Sequence, residues 1–419
     1  MYSSNTPLRW VRTVALVTLI SAVVSACGGG GSDAPQPAPT LAPQPTPVLL
    51  ANVMAVTVDA GPPESGYNVN RLYTDVTVCR PGNPAQCQTI KHVLVDTGST
   101  GLRMLASTLS PGLNLSPLPS ARGLPLLNCA QFVDNTFTWG PVVAADVVLG
   151  GKMARNVAIQ LAGTPEFDPL SGACSSGTEM NTVATLGANG ILGVGLFKED
   201  CGASCAGVTG NGFYYTCADA SCTATVPIRA SQAQQVKQPV ALFESDNNGL
   251  VVHLPAVDSA SAASLTGSVI FGIGTQANNQ LGTEAVLTTD SRGYITTVLS
   301  GRNLNTSFID TGSNGLFFDS EAYALCGSPA SGFYCPPAPV TMVATHVGAN
   351  GVRVPVSFTV NNALSLFATY PNAVLPGLAG PIGDARTFDW GLPFFYGRRV
   401  FMGIQAQPSS AGTGPFYAF

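Results

Sequence analysis

The tetrapeptide Asp-Thr-Gly-Ser occurs twice, each time at the end of an apolar run: His92-Val93-Leu94-Val95-Asp96-Thr97-Gly98-Ser99 and Ser307-Phe308-Ile309-Asp310-Thr311-Gly312-Ser313. At average residue usage, chance supplies a given tetrapeptide in a chain of this length at well under about one per cent, and two in matching contexts far less often. An apolar strand carries each Asp into a buried turn, glycine admits close backbone approach, and the Thr and Ser hydroxyls supply local hydrogen bonds. Facing turns would hold two carboxyls about 3 Å apart, where like charges do not both ionise and one proton is shared. One carboxylate then serves as general base on a water while its partner protonates a carbonyl oxygen. A single Asp-Thr-Gly is an ordinary strand-ending turn, since Asp and Gly are both turn formers; only the matched pair calls for chemistry.

The chain beyond each turn resembles pepsin-like aspartic proteases, in which each lobe carries a hydrophobic-hydrophobic-Asp-Thr-Gly turn and, later, a hydrophobic-hydrophobic-Gly strand that crosses it. Asn189-Gly190-Ile191-Leu192-Gly193-Val194-Gly195 is similar to the first such strand, with Asn for the usual Asp. Phe388-Asp389-Trp390-Gly391-Leu392-Pro393-Phe394 through Phe401 resembles the closing segment, and the resemblance runs from about residue 50 to residue 419. It implies an all-β, bilobal acid-protease fold with an interlobe cleft, and an aspartic endopeptidase acting through Asp96 and Asp310. Thr97, Gly98, Ser99, Thr311, Gly312 and Ser313 would shape the dyad. The substrate would be an extended peptide or protein bound by strand-like backbone hydrogen bonds, and no metal or other cofactor is expected.

The departures from that family are specific. Arg103 stands where a Trp usually follows the first Asp, so the bond from that Trp to a flap tyrosine is lost. The expected flap region, Gln131 to Gly140, has no tyrosine; Phe132, Phe137 and Trp139 are the candidates to cover the cleft, or else core aromatics of a hairpin. Leu392 stands where some acid-active members carry an Asp, which argues against a strongly acidic optimum. These changes feed a rival reading, a catalytically silent pepsin-like binding or assembly lipoprotein; the intact pair of acids opposes it.

Arg9, Arg12 and an apolar stretch ending in Val24-Ser25-Ala26-Cys27 read as a signal peptide, residues 1–26, with a lipobox-like end that makes Cys27 the lipidated N-terminus. Residues 27–48, rich in Gly and then Pro, read as a tether. The expected location is the cell envelope, anchored by lipid to the outer membrane, because Gly28 rather than Asp follows Cys27. Two lobes should follow, residues 49–232 and 233–419, each built around one turn. Short β-branched runs such as Asn52–Val58, Val157–Leu161, Gly249–Leu254, Ser268–Gly272 and Tyr294–Val298 predict an antiparallel β protein, with Ser320–Leu325 as one short helix candidate.

Of eleven cysteines, the ten besides Cys27 fit disulfides in an exported chain, with Cys79/Cys87, Cys217/Cys222 and Cys326/Cys335 as local staples and the remaining connectivity open. Zinc held by Cys201, Cys205, Cys217 and Cys222 is the competing reading. Charged residues make up 10% of the chain and the net charge is −5, against about 25% charged residues in average proteins. With no basic stripe, nucleic acid is not an expected partner, and a monomer is expected. His92, His253 and His346 are scattered, and no Gly-x-Ser-x-Gly elbow supports a serine triad.

Overall fold

Each Asp-Thr-Gly turn is gripped by a third strand that arrives from much later in the chain. In the computed structural model, which describes residues 50–257 and 261–419, the strand Cys87–Asp96 alternates in exposure until its last four residues, all buried, so the chain enters the interior as it reaches Asp96. The chain turns and leaves as Thr100–Leu105, buried throughout. Gly190–Val194 then inserts between these two, parallel to the first with Leu94 opposite Ile191, and antiparallel to the second with Leu102 opposite Leu192.

The same arrangement recurs in the second half. Arg302–Ile309 enters, Leu316–Phe318 leaves, and Phe388–Trp390 lies between them, parallel to the first with Phe308 opposite Asp389 and antiparallel to the second with Leu316 opposite Trp390. Ile191 and Asp389 are thus internal equivalents. Both face the residue two before the catalytic-type Asp.

The architecture is nearly all β, with three short α-helices among the described residues, and it is the pepsin-like bilobal fold. One large sheet joins the halves. Val53–Val58 pairs with Leu72–Cys79 on one side and with Leu265–Phe271 on the other, and Gly249–Leu254, Arg398–Gly403 and Phe416–Ala418 continue it. A separate seven-stranded sheet carries the second turn. One apolar cluster runs beneath both turns, including Val95, Leu192, Ile309, Leu316 and Trp390. Such close-packed walls hold a turn to sub-ångström precision better than any loop would.

The ten cysteines among the described residues form five disulfides: Cys79–Cys87, Cys129–Cys174, Cys201–Cys205, Cys217–Cys222 and Cys326–Cys335. The four considered for zinc are therefore spent as two disulfides. Ser320–Leu325 is not helical. Its Ser320 N–H donates to Tyr334 Oη and Leu325 bridges Tyr334, so the segment closes the Cys326–Cys335 loop instead. The signal, Cys27 and tether lie outside the described residues, as do residues 258–260.

Candidate active site

Asp96 and Asp310 meet over the backbone of the first turn. The Gly98 N–H faces Asp96 Oδ1 at 2.8 Å and Asp310 Oδ1 at 2.9 Å, so the two acids share one backbone donor. Glycine is required by this approach. A Cβ on Gly98 would lie 2.5 Å from the Asp310 carboxyl carbon, and one on Gly312 would lie 2.7 Å from Asp96 Oδ1. Either contact is far inside van der Waals distance, so a side chain at either position would push the acids apart.

The hydroxyls lock the arrangement. Thr97 Oγ1 accepts from the Thr311 N–H and donates to the Ile309 carbonyl, while Thr311 Oγ1 accepts from the Thr97 N–H and donates to the Val95 carbonyl. These four bonds cross-link the two halves at the base of the site. Above them, Ser99 Oγ donates to Asp96 Oδ2 at 2.5 Å, and Ser313 Oγ lies 2.9 Å from Asp310 Oδ2. Every residue of both Asp-Thr-Gly-Ser turns thus contacts the dyad or its partner turn.

Burial raises the Asp310 pKa well above the ordinary carboxylate value, and the charges of Asp96 and then Asp389 add to it. Both Asp96 and Asp310 are buried, at 6% and 7% exposure. Two buried carboxyls that converge on one N–H do not readily both ionise, so this geometry favours one shared proton.

The dyad lies on a cleft of about 370 Å³. Its apolar wall includes Leu94, Met180, Leu186 and Ile191, and its rim includes Phe132, Val133 and Thr136 from the hairpin Leu126–Gln131/Thr136–Leu149. Phe132 therefore borders the cleft, half-buried. Phe137 and Trp139 do not: they alternate onto the opposite face of the hairpin, where Trp139 is fully buried, donates its indole N–H to the Phe167 carbonyl at 2.8 Å and packs on Tyr215. Period-two alternation puts both on one face, and the Cys129–Cys174 disulfide lies in the same apolar cluster.

Arg103 is buried and lines the cleft together with Asp200. Its guanidinium donates to the Thr100 carbonyl at 2.7 Å and pairs with Asp200 Oδ2 at 3.4 Å. Asp200 also accepts from the Asn128 amide at 3.0 Å and from Tyr214 Oη at 2.6 Å. Burial lifts the Asp200 pKa to about 6, against the pull of Arg103, Tyr214 and Asn128. Sequence reading singled out Arg103 as a departure but missed Asp200, Asn128 and Tyr214, which are remote in the chain. It also passed over Asp389, although an acid inside a hydrophobic-hydrophobic-Gly strand is itself a signal.

The three histidines stand apart from the dyad. His92 pairs with Asp59 at 3.2 Å, His253 lies exposed on its strand, and His346 is fully buried against Trp390, Phe394 and Phe419. None of them lines the cleft.

Comparison with known proteins gave three results. A family model described as "Protein of unknown function (DUF3443)" matches residues 49–419. No curated protein matches the sequence. Among solved structures, the aspartic proteinase from Irpex lacteus superposes with a TM-score of 0.50 at 13% identity, over 87% of this chain and 96% of that one.

Proposed function

Since the chain belongs to the DUF3443 family of proteins of unknown function, we propose its activity from the geometry of the dyad: it is an aspartic endopeptidase of the cell envelope. The observation that carries this reading is the single Gly98 N–H bonded to both Asp96 Oδ1 and Asp310 Oδ1. The pair holds one proton. The ionised carboxyl removes a proton from a water, whose oxygen attacks the scissile carbonyl carbon, and the protonated carboxyl delivers its proton to the carbonyl oxygen. The tetrahedral diol then collapses, with the amide nitrogen protonated as it leaves. Extended substrate would lie along the cleft between the hairpin rim and the dyad.

Location belongs to the same proposal. Five disulfides suit an oxidising compartment, and lipid on Cys27 with a tether to residue 48 would hold the enzyme at the outer membrane. A Cys27→Ser variant should lose lipid labelling; unchanged membrane fractionation would reject the anchor.

The activity is tested with purified mature protein and a diverse peptide library between about pH 3 and pH 8, with and without a pepstatin-type inhibitor. Cleavage that Asp96→Asn and Asp310→Asn each abolish nearly completely supports the reading, because the two acids act as one unit. No cleavage by the wild-type protein would replace the enzyme with the silent binding module, for which Arg103 and the tyrosine-free hairpin speak.

A further inference from the structure

A third carboxyl reaches the dyad through Ser313. Asp389, in the strand Phe388–Trp390, is 2% exposed, and its Oδ2 lies 2.5 Å from Ser313 Oγ. The same Ser313 oxygen lies 2.9 Å from Asp310 Oδ2. In the first half the corresponding site is simpler: Ser99 Oγ bonds Asp96, and the residue equivalent to Asp389 is Ile191, packed in an apolar cluster. The internal repeat is therefore broken by one acid.

Proton counting shows that Asp310 and Asp389 are not both ionised in this arrangement. Ser313 carries a single hydroxyl hydrogen but has two carboxyl oxygens within hydrogen-bonding distance. If both carboxyls were ionised, one oxygen would face the serine oxygen with no hydrogen between them. Asp389 has no cation to offset a charge: among the described residues its Oδ1 has no hydrogen-bond partner, and no ion pair includes it. The titratable groups around it are Asp96 and Asp310 from the turns and the Tyr417 phenol from the strand Phe416–Ala418, none of them a cation. His346 packs on the adjacent Trp390 and is held neutral by burial.

We infer that Asp389 is a third acid of the site, a positioning residue that stays protonated, donates to Ser313 Oγ, and so fixes the Ser313 hydroxyl as a donor to Asp310 Oδ2. Burial, with Asp96 adding and the Ser313 bond opposing, pushes the Asp389 pKa up to about 8. The three acids then hold two protons near neutral pH, one in the dyad and one on Asp389. When Asp389 ionises, it competes for the Ser313 hydrogen and places a second negative charge beside Asp310. The serine reorients and the dyad holds its own proton more tightly.

The inference rests on the proposed protease reading only for its effect on catalysis; its proton inventory stands apart from it. The test compares wild-type protein with Asp389→Asn, and with Asp389→Ile, which copies Ile191, by denaturant unfolding with disulfides intact. The unfolded Asp389 loses its proton near the ordinary carboxylate value and the native one near pH 8, so between those limits native protein binds one proton more than unfolded. Stability of the wild-type protein relative to either variant should fall as pH rises through that window. The ratio of their unfolding constants should change on the order of tenfold per pH unit at its steepest.

A ratio that is flat from about pH 4 to pH 8 means an ordinary ionised carboxylate and overturns the inference, whether or not the protein cleaves peptides. A sloping ratio in a protein that cleaves nothing supports the inference and sinks only the protease. If neither variant folds, carboxyl infrared absorption of the wild-type protein at pH 7 decides: neutral carboxyls equivalent to a dyad proton plus one more support the inference, and the dyad proton alone overturns it. Where cleavage is observed, Asp389→Asn should displace the alkaline limb of kcat/KM, an effect that loss of packing alone would not produce.

Discussion

Thr97 and Thr311 exchange hydrogen bonds, the Thr311 N–H donating to Thr97 Oγ1 at 2.9 Å and the Thr97 N–H to Thr311 Oγ1 at 3.1 Å. Both residues are buried, at 2% and 0% exposure, so water cannot replace either partner. This reciprocal pair ties the two turns together at the base of the dyad.

Thr97→Val or Thr311→Val should therefore cost about 1–3 kcal/mol each, since each leaves a buried N–H and a buried carbonyl without a partner. The double variant should lose less than the sum, because the two threonines share the same bonds. Urea unfolding of the four proteins of this cycle is the check; additive losses would mean that the threonines act independently.

Gly98→Ala should lose about 1–3 kcal/mol and separate the acids, because the new Cβ would meet the Asp310 carboxyl carbon at 2.5 Å. Gly112→Ala is the control. Nothing lies within 4 Å of its Cβ position, and its effect should stay within about 0.5 kcal/mol. Peptide cleavage should fall at least about a hundredfold in Gly98→Ala and hold in Gly112→Ala.

Arg103→Met should destabilise by about 3–5 kcal/mol by leaving Asp200 buried without its cation. Adding Asp200→Asn should return most of that loss by removing the buried charge: the new carbonyl can accept from Tyr214 Oη, and the new amide can donate to Asn128 Oδ1, which has no partner among the described residues, once that side chain flips. A double variant no more stable than Arg103→Met would show that Arg103 acts through packing rather than charge.

His346→Phe should improve stability in acid. Neither ring nitrogen has a hydrogen-bond partner among the described residues, and burial, with Arg398 adding, lowers the pKa to about 3. Between that value and the ordinary imidazole value the unfolded chain binds one proton more, so native stability falls as pH drops through that window. Each pH unit there is worth at most about 1.4 kcal/mol. The advantage of His346→Phe over wild type, measured by urea unfolding, should grow from pH 7 to pH 4.

Much of the fold was legible because its signals are contiguous. Asp96-Thr97-Gly98-Ser99, its twin and the crossing strand at Ile191 each occupy a few adjacent residues, and strand alternation is a local pattern. Pairings across distance were not. Ser313 and Asp389 are 76 residues apart, and Arg103 and Asp200 are 97 apart, so only the folded chain reveals that they meet. Alternation also says that Phe137 and Trp139 share a face without saying which face looks into the cleft; the apolar cluster around Phe167 and Cys174 claims them. Close cysteines paired as neighbours in sequence, while Cys129 and Cys174 needed the hairpin to bring them together.

The strand Val53–Val58 sits between Leu72–Cys79 and Leu265–Phe271, so during synthesis it waits for a partner that is made much later. The two acids are separated in the same way, with 214 residues between the matching positions of their turns. Contacts of such sequence separation form late, after long loops have closed. A nascent chain therefore carries one isolated carboxyl, ordinary in its chemistry, until the second half has been made and folded onto the first. On the proposed reading the first half of the growing polypeptide is spared, because the dyad is assembled only after the second turn has been made.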